Sequence, residues 1–397
     1  MKILLVCESS HKFESGGRVV RYLTKILKEG GHIVKVVVLK NDDSEDSFYI
    51  ENDIIFLPLQ TGIKERIENL LLLKNNDVKR FKSILNNFVP EVIHFASFDD
   101  GKPPRFLKEA TSCGAKVVLQ PWTMQFYCAQ GFGFREGEKC NLCAGGNYLN
   151  ALIHNCVSYK GITGIIKRKM LHKQALKADV FLSSNSELDS ILLQYGVPKS
   201  KINRFPVPFD YTFKDTDMVD GEDDFIFFGQ PNSHKGLQIL IDAFKLLPKE
   251  KLKIYPLSLP KSAIPNDNVE IINGIGWKSG LVEAITKAKT VLIPSLWSTS
   301  TEYSMCEALL FKKPVIVFNV GVHKDIFKNN YNAIVIEPGN LEAYVEAMVM
   351  LNENKELRKL IGQNGYNTLL EVNNPTRLNY LLEEAYSLRK NNSSIEN

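Results

Sequence analysis

The sequence predicts an α/β protein made of two doubly wound domains in succession, and three observations carry that expectation. Short apolar runs alternate with amphipathic helical patterns along most of the chain, as they do where parallel strands are covered by helices on both faces. The alternation lapses in residues 206–224, which hold two prolines and seven acidic residues, and then it resumes. A length of 397 residues with 44% hydrophobic content suits two or three domains with substantial cores. The expected division is residues 1–205, a linker over 206–223, and residues 224–375, with a helix over 376–390 returning to the first domain.

The chain opens with a buried strand (2–7), a glycine turn (14–17), an amphipathic helix (18–30) and a second buried strand (32–39), which together make a βαβ unit. Gly16 and Gly17 either let the backbone approach a diphosphate or mark a turn. Further strands are expected at 53–59, 92–96, 116–119, 180–184 and 202–207. Beyond the linker they are expected at 225–228, 252–255, 269–272, 291–294, 315–318 and 333–336. A helical pattern occupies 375–390, and 391–397 is polar. Two such domains with opposed strand ends would leave a cleft, a preferred place for a small ligand.

Composition narrows the function. A net charge of +4, from 49 basic and 45 acidic side chains, lacks the dense positive field of a nucleic-acid binder, so no nucleic-acid partner is expected. The opening MKILLVCE is too short an apolar run for a signal peptide, and no stretch approaches the ~20 residues of a membrane span. A cytoplasmic location is the expectation. Seven cysteines in such a chain favour thiols or metal ligation over a disulfide framework.

Four of them, Cys128, Cys140, Cys143 and Cys156, are spaced C-x11-C-x2-C-x12-C. A C-x2-C pair with two further cysteines matches tetrahedral thiolate ligation of a structural zinc, with His154 as a substitute ligand; reduced thiols or a redox pair are the alternative. Cys7, Cys113 and Cys306 read as small buried residues. Residues 159–174, YKGITGIIKRKMLHKQ, mix basic and apolar side chains. They form either a solvated helix face or a peripheral contact with an anionic membrane surface.

Residues 290–320, TVLIPSLWSTSTEYSMCEALLFKKPVIVFNV, read as strand, loop, helix and strand. Ligands of open parallel sheets sit beyond the carboxyl ends of the strands, which points to the 295–301 loop and the helix start near Glu302. A helix start offers N–H groups to a phosphate. Glu307, a little over one turn in, can accept hydrogen bonds from paired ribose hydroxyls, or it only complements the helix dipole.

Four stretches in order resemble one known family. They are SHKFESGGRVVRYLTKILKEGGHIVKVV, ADVFLSSNSELDSILLQYGVPKSKINRFPVPFD, FIFFGQPNSHKGLQILIDAF and PSLWSTSTEYSMCEALLFKKPVI. Together they are similar to the retaining nucleotide-sugar glycosyltransferases of GT-B fold, family four (group one). The resemblance implies two Rossmann-like domains facing a cleft. It also implies transfer of a sugar from a nucleoside diphosphate sugar to a glycan or lipid-linked acceptor, in cell-surface polysaccharide synthesis.

By that resemblance Gly16 and Gly17 face the donor phosphates, as do Gly229 and Gln230 after the first strand of the second domain. Lys235 is the catalytic cation at the departing phosphate, and Glu307 holds the ribose. Tyr303 and Ser304 lie against phosphate or sugar, while Trp277 in the GIGW loop stacks on the base or packs between loops. No cofactor is required for catalysis. Three positions depart from the family pattern. Thr299 stands in place of the first glutamate of Glu-x7-Glu, Gln230 in place of an arginine, and Trp122 in place of a histidine. Glu302 either substitutes for the missing glutamate, as a second catalytic residue, or is only a helix-start carboxylate. A nucleotide-sugar epimerase or phosphorylase of the same fold, or a degenerate non-catalytic binder of a nucleotide sugar or glycan, are the alternatives.

Overall fold

The computed structural model describes residues 1–8, 15–39, 53–57, 59, 75–99, 104–157, 161–210, 223–257, 266–297 and 300–387. The chain divides into two units. One comprises residues 1–133, 141–210 and 374–397; the other comprises 134–140 and 211–373.

The first unit is built on β1 (Lys2–Cys7), β2 (Ile33–Val38), β3 (Ile54–Phe56), β4 (Val92–Ala96) and β5 (Lys116–Gln120). The hairpin strands β6 (Phe134–Arg135) and β7 (Glu138–Lys139) belong to the second unit, and β8 (Val180–Ser183) and β9 (Ile202–Arg204) complete the first. The order β3-β2-β1-β4-β5-β8-β9 is parallel throughout. Such a sheet needs apolar residues on both faces, and Ile3, Leu4, Leu5 and Val6 on β1 are all fully buried. The helix Ser15–Glu29 turns Val19, Val20, Leu23, Ile26 and Leu27 inward, the 3.6-residue stripe expected of a helix on a sheet.

The described residues end in the helix Pro375–Ser387, which belongs to the first unit and is anchored there by polar contacts. The Tyr386 hydroxyl lies 2.9 Å from Nδ1 of His94, a fully buried residue of β4. Lys116 Nζ donates to the Tyr386 carbonyl at 2.6 Å. Burial disfavours the imidazolium and pushes His94 down to about 4.

In the second unit β10 (Asp223–Gly229), β11 (Leu252–Pro256), β12 (Val269–Ile271), β13 (Ala288–Ile293), β14 (Val315–Phe318) and β15 (Ile334–Ile336) form a second parallel sheet, in the order β12-β11-β10-β13-β14-β15. Both sheets are doubly wound, as the alternating pattern predicts. The helix Lys355–Val372 crosses so close to the end of the helix Tyr303–Leu310 that a Cβ at Gly362 would lie 1.9 Å from the Lys312 carbonyl oxygen. Only glycine permits that approach.

Several details depart from expectation. The helix begins at Ser15, so Gly16 and Gly17 lie in its first turn and not in a turn before it. First-turn N–H groups lack intrahelical partners, which lowers the cost of glycine there. Residues 206–210 of the expected linker belong to the first unit. Phe209 is fully buried beneath the Arg18 guanidinium, and Asp210 pairs with Arg21 at 3.4 Å. Residues 211–222 lie outside the described residues. Cys113 is exposed, unlike the buried Cys7 and Cys306.

His94 makes stability acid-sensitive in a defined window. The unfolded chain binds this proton near the ordinary value of 6.5 and the folded chain only near 4, so the neutral-His94 contribution is complete above 6.5 and withdrawn as pH falls towards 4. The loss amounts to about 3 kcal/mol. Urea unfolding of His94→Gln should show a shallower fall in stability between about pH 7 and about pH 4. An unchanged slope would remove His94 as the cause.

Candidate functional site

In the second sheet, β10 continues to β11 on one side, while β13, β14 and β15 step away on the other. The loops after β10 and β13 therefore part at the switch point of the sheet, where open α/β sheets hold ligands. Gly229, the last residue of β10, has φ +127 and starts the first loop, and the exposed Gln230 follows it. The loop then winds into a 3₁₀ turn, Ser233–Lys235, closed by Gly236 at φ +73. A Cβ on Gly236 would lie 2.0 Å from the Pro294 carbonyl oxygen, so the turn rests directly on the chain leaving β13. Leu296 N–H donates to the His234 carbonyl at 2.9 Å and ties the two loops together.

That contact brings Lys235 against Glu302. The carboxylate is 6% exposed, and its Oε1 accepts from Lys235 Nζ at 2.5 Å and from Ser295 Oγ at 2.7 Å. Its Oε2 lies 3.3 Å from Nε2 of the fully buried His323, within ion-pair distance but outside hydrogen-bond alignment. The Nδ1 of His323 faces the Phe318 carbonyl at 3.2 Å, at the end of β14. Burial alone would raise the Glu302 pKa, but the Lys235 ammonium and His323 outweigh it and hold the carboxyl well below the usual range. The neighbouring His234 is pushed down to about 4 by burial and then by the Lys235 charge, against the opposing pull of Glu302. Its ring meets Trp297 edge-on at 5.1 Å, and Lys235 Nζ sits 5.3 Å from the centre of the same indole.

Glu302 occupies the residue before the helix Tyr303–Leu310, yet its side chain makes no cap hydrogen bond. Its carboxylate turns inward to a cation it can neutralise rather than to the first-turn N–H groups. Lys235 likewise is no solvated surface lysine, its side chain being 16% exposed. Tyr303 and Ser304 are half-buried in the first helical turn, and Glu307 is buried one turn on. Trp277 is half-buried, its ring 6.1 Å from that of Phe311 at the end of the helix Tyr303–Leu310. Thr299 lies outside the described residues. Gly16 belongs to the first unit, where a Cβ would touch Trp122 at 3.6 Å.

Ser295 opens the 295–301 loop that the sequence pointed to, though its hydrogen bond to Glu302 was not foreseen, and His323 is the member of the cluster that sequence reasoning missed. A histidine one turn into the helix Gly321–Ile326, after β14, was the available signal, but nothing in sequence links it to Glu302.

The four cysteines of the expected zinc set, Cys128, Cys140, Cys143 and Cys156, are all half-buried and carry no disulfide. Among the described residues no group of three or more His, Cys, Asp or Glu side chains is placed to hold a metal ion. Cys128, Cys143 and Cys156 are partly buried against the apolar core of the first unit, and Cys140 falls in the 134–140 segment of the second. Hydrogen bonds also tie this part of the first unit together. Tyr148 OH lies 3.1 Å from His172 Nδ1, and His172 Nε2 lies 2.6 Å from the Tyr195 carbonyl, with the His172 and Tyr195 rings stacked at 3.9 Å. Asn141 donates to Gln194 and Asn150 to the Leu142 carbonyl, both at 2.6 Å.

Comparison with known proteins bears on this arrangement. The family model "Glycosyl transferases group 1" matches residues 209–368, which hold the whole Lys235–Glu302–His323 cluster. An uncharacterized glycosyltransferase of Methanocaldococcus jannaschii is 24% identical over 343 residues, spanning 78% of this chain and 90% of that protein. The crystal structure of Anabaena HepE in complex with UDP-glucose is similar at a TM-score of 0.66 and 13% identity, over 98% of this chain and 100% of that one. Sucrose-phosphate synthase from Thermosynechococcus elongatus is similar at a TM-score of 0.69 and 15% identity, over 97% of this chain and 98% of that one.

Removing one member of the buried pair strands the other. Lys235→Met should lower the unfolding free energy by roughly 3 kcal/mol, and adding Glu302→Gln should recover part of that loss. A double-mutant cycle in urea measures the coupling; strict additivity would show that the two side chains do not stabilise one another.

Proposed function

Because residues 209–368 match the model of glycosyl transferases group 1 and the chain has the GT-B fold, we propose that it is a glycosyltransferase of that group, moving a hexosyl unit from a nucleoside diphosphate sugar to an acceptor hydroxyl on a glycan or a lipid-linked precursor. The observation that carries this reading is the lysine held at the carboxyl end of β10, beside the start of the helix Tyr303–Leu310. Cleavage of the sugar C1–O bond leaves added negative charge on the diphosphate. A fixed ammonium and helix N–H groups stabilise that charge without an accompanying metal.

Each neighbour then has a role. Lys235 has three N–H donors, of which Glu302 takes one, so the ammonium can hold the carboxylate and a phosphate oxygen together. Glu302 positions that ammonium and does not itself need to touch the sugar. Glu307 accepts from the ribose hydroxyls, and Tyr303 and Ser304 line the phosphate end. As the new bond from acceptor oxygen to C1 forms, the acceptor proton passes to the departing phosphate, so the anomeric configuration is retained and no protein base is required. Uridine is the first nucleoside to test, since the similar HepE structure contains UDP-glucose.

A non-catalytic nucleotide-sugar binder is the second reading, favoured by the neutralisation of Lys235 by Glu302 and by the uncharged Gln230 after β10.

UDP and UDP-sugars should raise the melting temperature of the purified protein, more than GDP or ADP conjugates do, through preferential binding to the folded state. Glu307→Ala should weaken that response by about tenfold in apparent affinity. In turnover with a responsive donor, Lys235→Ala should lower kcat/KM by about 10²-fold or more. Donor binding without transfer to any acceptor would select the non-catalytic reading, and no nucleotide response would end both.

A further inference from the structure

The segment between β5 and β8 presents a surface that donor chemistry leaves unused. Residues 141–178 contain six Lys or Arg (Lys160, Lys167, Arg168, Lys169, Lys173 and Lys177) and no Asp or Glu, in a chain with 45 acidic residues among 397. On the helix Ile162–Ala175, Ile165, Arg168, Leu171 and Ala175 turn inward. Ile162, Ile166, Lys169 and Lys173 lie exposed on the opposite side at i, i+4, i+7 and i+11. This outer stripe is aliphatic in its first half and cationic in its second.

The preceding turn repeats the theme. Leu149 and Ile153, one turn apart, are 60% and 68% exposed, while Ala151 between them is buried in the core. A Cβ at Gly161 would lie 2.9 Å from Val157 Cβ, so the helix starts directly against the end of that turn. Leu142 is exposed as well, which makes five exposed aliphatic side chains in residues 142–166. An ordinary surface helix buries its isoleucines, and grouped exposed aliphatics mark an interaction face.

We propose that this face docks on an anionic phospholipid bilayer. Ile153, Ile162 and Ile166 enter the boundary between headgroups and acyl chains, while Lys169 and Lys173 reach the lipid phosphates on long apolar stems. The absence of carboxylates from residues 141–178 removes the repulsion that an anionic surface would meet. That charge pattern favours a lipid surface over a second copy of this near-neutral chain. Docking gives the acceptor side of the proposed reaction a lipid-anchored substrate, and only this last consequence rests on the glycosyltransfer reading.

Vesicle flotation of the full chain tests the docking directly. Vesicles of phosphatidylcholine with phosphatidylglycerol should carry the protein, pure phosphatidylcholine should not, and added salt should weaken the binding. Ile153→Ser with Ile166→Ser, and separately Lys169→Glu with Lys173→Glu, should each reduce binding by at least about tenfold. Unchanged melting curves would certify that both variants fold, and the vesicle result stands whether or not a nucleotide sugar binds. Equal binding to both vesicle types, binding to neither, or binding indifferent to both variants would overturn the proposal. So would concentration-dependent self-association that Ile153→Ser abolishes without any vesicle binding, because it would assign the face to a second copy.

Discussion

A carboxylate cannot remain ionised inside a protein unless a cation and hydrogen-bond donors replace the water it has lost. Glu302 meets that requirement with Lys235 and Ser295, and His323 lies beside it at 3.3 Å; the three follow β10, β13 and β14. One buried charge thus holds three loops of the second unit in register. The same constraint fixes the Lys235 ammonium in place, because a lysine held at 2.5 Å by a buried partner loses the freedom of a four-carbon stem.

Backbone contact makes that electrostatic arrangement attainable. The Lys235 turn reaches the chain leaving β13 only because Gly236 carries no Cβ. On the far side of the helix Tyr303–Leu310, Gly362 allows the helix Lys355–Val372 to press on the Lys312 carbonyl. Glu302 at the start of that helix is therefore placed by packing at its other end as well as by its ion pair. Rigid elements carry the charged groups, and preorganisation of this kind is what stabilisation of a leaving group needs.

The first unit is stabilised differently. Its central strands are apolar on both faces, and its polar contacts secure peripheral pieces: Tyr386 fastens the last helix to β4, and His172 fastens the cysteine-bearing segment through Tyr148 and the Tyr195 carbonyl. The neutral state of His172, favoured by burial, suits a ring that accepts at Nδ1 and donates at Nε2.

The doubly wound architecture was legible in the sequence because strand and helix periodicities are local properties of consecutive residues. The strand at 2–7, the helix from 15 to 29 and the later apolar runs declared themselves in that way. Lys235 and Glu307 were singled out as well, the lysine by family resemblance and the glutamate by its place one turn into a helix that follows a strand and loop. Other features were not. The two-residue strands β6 and β7 are too short to show a period. The inward turn of Glu302, its meeting with Lys235 across 67 positions and the arrival of His323 depend on which loops the sheet order places side by side. Sequence by itself determined the elements and the residue types available for chemistry. Tertiary structure decided which charges are buried together, because desolvation and Coulomb attraction act between groups only after folding has removed the water between them.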